Sequence, residues 1–127
     1  MSKNILVVDD EQDIRELLTL SLERLGFTVR TAGDGQEALA QIGRQRPDLI
    51  LLDLKMPRLN GYHLFAQLKS DDSLAKIPVI IITGLSQDSE HDDEEWARRM
   101  GAEAFLTKPF EFAELTQKVE ELVQKLL

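Results

Sequence analysis

The chain contains no cysteine, which excludes disulfide staples and thiolate metal sites. No apolar segment approaches the roughly 20 residues that a membrane-spanning helix needs. The N-terminus also lacks the basic, apolar and small-residue succession of a secretory leader. A soluble, cytoplasmic protein that engages no membrane is the expectation. Positive charge is scarce: 15 Lys and Arg stand against 23 Asp and Glu, a net charge of −8. Such a surface repels nucleic-acid phosphates, so no direct nucleic-acid binding is expected, and basic or metal partners suit it better. The sequence has no internal repeat, linker or low-complexity tract. A glycine-rich phosphate loop, a Ser–His pair and a Walker lysine are all missing, which removes the enzyme classes built on them.

What is present is organised around one stretch. Leu49, Ile50, Leu51 and Leu52 form an unbroken aliphatic run that ends in Asp53, followed by Leu54, Lys55, Met56 and Pro57. A run of this length, bounded by charge and proline, reads as a strand buried on both faces. An unpaired carboxylate inside such a strand would be costly, so Asp53 is placed at its end. Similar short aliphatic runs occur at 4–8, more weakly at 27–31, at 78–83 and at 104–107. Between them apolar residues recur at helical spacing, as in Ile14, Leu17, Leu18, Leu22 and Leu25, closed by Gly26. Further helices are expected over 34–46, 62–68, a short 94–100 stopped by Gly101, and a last one marked by Leu115, Val119, Leu122 and Leu126. Residues 56–61 and 84–93 read as loops.

The length of 127 residues favours one domain with a sizeable core. Strands alternate with helices five times, and each connection is long enough for one helix. The expectation is an α/β fold: a doubly wound, five-stranded parallel sheet with helices on both faces. Ligands of such sheets bind outside the carboxyl ends of the strands. At those ends stand Asp9 and Asp10, Asp53, Thr83 and Lys108. Two carboxylates about 4 Å apart repel by roughly 4 kcal/mol at an effective dielectric near 20, so three gathered together call for a cation. With oxygen ligands alone, hard ions qualify, Mg²⁺ foremost. A phosphoryl group on one carboxylate would be stabilised by that ion, by Lys108 and by Thr83.

Taken singly, these residues have plainer readings. Asp9 and Asp10 suit a helix N-terminus, Thr83 is a common strand residue, and Lys108 could be a surface lysine. Phe105 reads equally as core filling or as a moving part. The acidic stretch 88–95 reads first as a solvated loop and helix start. Trp96 fits a half-buried or an interface position. His63 and His91 have no metal-ligand spacing and are expected to be exposed, without a role.

The motifs Asp9, Asp10, Glu11; Leu52 to Pro57 with Gly61; Ile82, Thr83, Gly84; and Lys108, Pro109, Phe110 occur in an order and spacing that resemble the receiver domain of bacterial two-component response regulators, of the chemotaxis-regulator type. The resemblance covers essentially the whole chain, 1–127. It implies a flavodoxin-like sheet of order 2-1-3-4-5 and a phosphorylation-activated switch. Asp53 would accept a phosphoryl group from a histidine kinase or histidine phosphotransfer protein. Asp10, Asp53 and the backbone carbonyl of Lys55 would hold Mg²⁺, with Mn²⁺ as a substitute, and Asp9 would act mainly through water. Lys108 and Thr83 would stabilise the phosphoryl oxygens. Thr83 and Phe105 would form the switch, altering the face made by the fourth helix, fifth strand and fifth helix. That face would control a downstream protein and offer a surface for a homodimer. Pro109 is the candidate for a cis bond.

By the same resemblance the chain is not an enzyme beyond its own phosphotransfer and slow autodephosphorylation, a rate tuned in the family at the positions of Lys55 and Leu85. Two departures stand out. The acidic segment between Thr83 and Gly101 is longer than the family pattern, and Phe105 lacks the hydroxyl of a tyrosine. An aspartyl phosphohydrolase would need a second acid where Lys55 stands. A phosphorylation-independent interaction domain would have no use for the retained site groups.

Overall fold

A computed structural model describes residues 3–55, 61–84 and 90–125. Five strands alternate with five helices: β1 (Asn4–Val8), α1 (Gln12–Arg24), β2 (Thr28–Ala32), α2 (Gly35–Arg44), β3 (Leu49–Asp53), α3 (Gly61–Ser70), β4 (Val79–Gly84), α4 (Glu90–Arg99), β5 (Ala104–Lys108) and α5 (Phe112–Lys125). The strands pair in parallel in the order β2-β1-β3-β4-β5.

The aliphatic runs explain the layering. Successive strand side chains point to opposite faces, so a run without polar residues feeds two cores at once. Leu6, Val8, Ile50, Leu52, Val79 and Ile81 face one side, where Ala38 and Ile42 of α2, Leu64, Phe65 and Leu68 of α3, and Ala97 of α4 cover them. Ile5, Val7, Leu49, Leu51, Ile80 and Ile82 face the other, beneath Leu18 and Leu22 of α1 and Leu115, Val119 and Leu122 of α5. All five residues of β1 and of β3 are buried.

Local signals set the helix ends. Gly26, at φ 96°, lets α1 close with Gly26 N–H on the Glu23 carbonyl and Phe27 N–H on the Leu22 carbonyl. Gly101, at φ 98°, ends α4 in the same way. Asp34 caps α2 by accepting from the Glu37 N–H at 2.8 Å. Helix α4 differs from expectation, because it starts at Glu90 rather than 94. Its first residues are mostly acids, which favour a helix N-terminus through the dipole but carry no apolar periodicity to announce it. Of the loops expected over 56–61 and 84–93, residues 56–60 and 85–89, with Met56, Pro57 and Leu85, lie outside the described residues, while Gly61 begins α3 and Gly84 ends β4.

Gly61 fixes how α3 leaves β3. Its N–H bonds the Leu54 carbonyl at 3.0 Å. A Cβ there would sit 2.1 Å from the Asp53 carbonyl oxygen and 2.5 Å from Leu54 Cα. Backbone atoms cannot yield as a side chain can, so Gly61→Ala is expected to lower the unfolding free energy by about 1–3 kcal/mol. Urea denaturation checks this, and an unchanged midpoint would contradict the close approach.

Candidate functional site

Register brings the polar strand ends together. Val8 pairs with Leu52, so the next residues, Asp9 and Asp53, emerge side by side. Asp53 pairs with Ile82, and Lys108 with Gly84. Lys108 Nζ reaches back across the edge to donate to Asp9 Oδ2 at 2.8 Å, Glu11 Oε1 at 3.0 Å and Asp53 Oδ2 at 3.2 Å. Asp9 and Asp53 are buried, at 2% and 4% exposure, whereas Asp10 and Glu11 are exposed.

Each buried carboxylate is also held by backbone. Asp53 Oδ1 accepts the Lys55 N–H at 3.0 Å, and Asp9 Oδ1 accepts the Glu11 N–H at 2.9 Å. Arg15 clamps the Asp9 main-chain carbonyl at 2.7 Å. The Lys108-Pro109 peptide is cis. Thr83 is buried, and its Oγ1 has no hydrogen-bond partner among the described residues. A buried hydroxyl at a site edge without a protein partner is free to bond a ligand or water.

Burial and the neighbouring Asp9 charge push the Asp53 carboxyl up to about 6, although the Lys55 N–H and Lys108 pull it down. Burial raises Asp9 as well, against the pull of Lys108. Burial alone would depress Lys108, but its hydrogen bonds to Asp9 and Glu11 and the Asp53 charge outweigh that and hold it firmly charged. One ammonium therefore balances an acidic group with more negative charge than it can neutralise.

A divalent ion fits this donor set. Asp9, Asp10, Glu11 and Asp53 can each aim a carboxylate oxygen into a cluster in which these oxygens lie within 4.8 Å of one another. The oxygens are hard donors, suited to a hard cation.

The structure thus brings Asp9, Asp10, Asp53 and Lys108 together, with Thr83 at the adjoining strand end. Phe105 stands apart, half-buried in β5 and packed against the core on the α3 and α4 side. Three contributors were not singled out in the sequence. Glu11 was visible as the third acid of its triplet, but its contact with Lys108 was not. Arg15 gave no signal. Asp93, inside the acidic stretch expected to be solvated, is 4% exposed and accepts from Tyr62 Oη at 2.6 Å. Trp96 is half-buried, edge-on to Tyr62 and Phe65.

Beside Lys108 lies an open recess walled by Ile14, Leu17, Phe110 and Phe112. Leu17 and Phe112 are exposed. Among the described residues no helix is long and apolar enough to cross a membrane.

Comparison with known proteins agrees with this geometry. The alkaline phosphatase synthesis transcriptional regulatory protein PhoP of Bacillus subtilis is 38% identical over 125 residues, covering 98% of this chain and 50% of that protein. The DNA-binding dual master transcriptional regulator RpaA of Synechocystis is 36% identical, covering 95% of this chain and 49% of that protein. The signal receiver domain of a signal transduction histidine kinase from Syntrophus aciditrophicus superimposes with a TM-score of 0.87 at 35% identity, covering 98% of this chain and 92% of that one. The chain spans about half the length of the curated relatives it matches.

These relatives correct one expectation. Exclusion of nucleic acid rested on a net charge of −8, yet relatives that share this region are transcriptional regulators, one of them named as DNA-binding. The charge of a region spanning half of such a protein describes that region's own surface, and does not govern what the rest of the polypeptide binds. Residues 5–120 match the response regulator receiver domain, and the chain belongs to that family.

Proposed function

We propose that the chain, as a receiver domain over 1–127, is a signalling switch that accepts a phosphoryl group on Asp53. The observation that carries this reading is Lys108, shared among Asp9, Glu11 and Asp53 at 2.8–3.2 Å. A permanently charged donor held at the acceptor carboxylate suits a phosphoryl group better than a proton or a neutral substrate.

Asp53 acts as the nucleophile. Its oxygen attacks the phosphorus of a phosphohistidine on a histidine kinase or phosphotransfer protein. The O–P bond forms as the P–N bond breaks, and the bonding pair stays on the departing imidazole nitrogen. Lys108 then exchanges its Asp53 contact for the phosphoryl oxygens. Thr83 turns its unsatisfied hydroxyl toward them. Asp10, Asp53 and the Lys55 carbonyl would hold Mg²⁺, with Asp9 acting through water. The ion supplies charge neutralisation for the carboxylates and the incoming oxygens. The recess beside Lys108, with exposed Leu17 and Phe112 at its rim, suits docking of the donor protein. The response passes from Thr83 to Phe105 and the face of α4, β5 and α5. As in the transcriptional relatives, that response would serve gene regulation in a longer polypeptide.

Labelled acetyl phosphate with Mg²⁺ tests the acceptor. Wild-type protein should take the label in a base-labile, hydroxylamine-sensitive form, and Asp53→Asn should take none. Label persisting in Asp53→Asn would place the acceptor elsewhere.

Ionisation gives a second test, without divalent ions. Folded Asp53 keeps its proton up to about pH 6, whereas an unfolded aspartate releases it near the ordinary value of 3.8. The native state binds the extra proton between these values. The Asp53 charge therefore costs stability above about pH 6, and that cost fades as pH falls toward 3.8. Asp53→Asn should be more stable than wild type by about 2–3 kcal/mol at pH 7, the gap closing near pH 4. Denaturant unfolding at both pH values reads this, and a variant no more stable at pH 7 contradicts it.

A further inference from the structure

A carboxylate outside the acidic cluster is buried with one hydroxyl bonded to it and only a loosely placed cation to balance it. Asp93 stands in the first half of α4 at 4% exposure. Tyr62 donates to its Oδ1 at 2.6 Å. Its Oδ2 has no hydrogen-bond donor among the described residues, and faces Lys55 Nζ at 3.7 Å. The same ammonium donates to the Gly84 carbonyl at 3.2 Å. Meanwhile the Lys55 N–H holds Asp53 Oδ1 at 3.0 Å. One residue therefore touches the acceptor carboxylate with its backbone, and the end of β4 and the start of α4 with its side chain.

The strengths of these contacts differ. A charge-assisted hydrogen bond closes to roughly 2.7–2.9 Å, so the Lys55–Asp93 pair at 3.7 Å is slack. A phosphoryl group carries a charge of about −1.5 to −2 and three strong acceptor oxygens. Placed on Asp53, next to the Lys55 backbone, it is the stronger attractor for a flexible four-carbon arm. A buried carboxylate deprived of its cation is strongly destabilising, so departure of Lys55 loosens the seat of Asp93 and of α4 with it.

We propose that Asp93 is a positioning residue for the chemistry at Asp53: it holds the Lys55 ammonium on the α4 side of the site, and a phosphoryl group on Asp53 competes for that ammonium. Beyond Lys108 and the divalent ion, the phosphoryl group gains this further cation only by taking it from α4. Its lifetime and the placement of α4 are thereby coupled through a single side chain. The inference rests on Asp53 being the phosphoacceptor.

The sole tryptophan reports on α4. Trp96 follows Asp93 by three residues and packs against Tyr62 at 5.3 Å and Phe65 at 5.7 Å between ring centroids. The test compares wild type, Asp93→Asn, Lys55→Met and the double variant. Asn keeps the shape of Asp and an acceptor for Tyr62.

After labelling with acetyl phosphate and Mg²⁺, Asp93→Asn should lose label roughly threefold or more slowly than wild type, because Lys55 is free to pair with the phosphoryl oxygens. In the Lys55→Met background the same substitution should leave the decay rate unchanged. An equal effect of Asp93→Asn in both backgrounds would make Asp93 merely structural and overturn the proposal. Lys55→Met gives a reading that does not depend on any Asp93 variant. Its Trp96 emission without phosphate should move toward that of beryllofluoride-treated wild type, and emission identical to untreated wild type also overturns it. A wild-type protein that takes no label overturns the phosphoacceptor reading and this coupling with it. A protein that takes label but shows no Lys55-dependence overturns the coupling alone.

Discussion

The site depends on the ammonium of Lys108 among the carboxylates of Asp9, Glu11 and Asp53. Two of those acids are buried, and burial by itself opposes their charge. Lys108 keeps them close without fully neutralising them. The acidic cluster retains an excess of negative charge that a hard cation can balance. Removal of the lysine would leave buried like charges facing each other.

The rest of the fold serves that proximity. A parallel sheet with both faces covered brings β1, β3, β4 and β5 out at one edge. The aliphatic strands anchor that edge, because every residue of β1 and β3 is buried and their apolar side chains feed two cores. At that edge Lys108 reaches three acids at 2.8–3.2 Å. Gly61, with no room for a Cβ against the Asp53 carbonyl, sets how closely the start of α3 approaches the end of β3. Thr83, buried with a hydroxyl that has no partner among the described residues, can gain a hydrogen bond from a ligand.

Much of this was legible because the aliphatic runs 5–8, 49–52 and 79–82 carry no polar residue. A run buried on both faces must end where polarity begins, so Asp9, Asp53 and Thr83 marked three strand ends, and the shorter run 104–107 pointed to Lys108. The start of α4 was illegible for the opposite reason. Its acidic first turns have no apolar stripe, and the sequence read as loop down to 93. Asp93 was hidden by its neighbours, since one buried acid in a run of exposed ones has no sequence signature. Its burial follows from Tyr62 and Lys55, which approach from α3 and from the end of β3. The nucleic-acid expectation failed because it extended the charge of this region to the conduct of polypeptides about twice as long.

Convergence of those distant acids on one ion is the central claim. Titration of MgCl₂ into the protein, followed by backbone amide chemical shifts, addresses it most directly. The account predicts one saturable set of shifts at the carboxyl ends of β1, β3 and β5, around Asp10, Asp53 and Lys108. Non-saturating shifts scattered over exposed acids such as Glu120 and Glu121 of α5, with the strand ends unmoved, would contradict it.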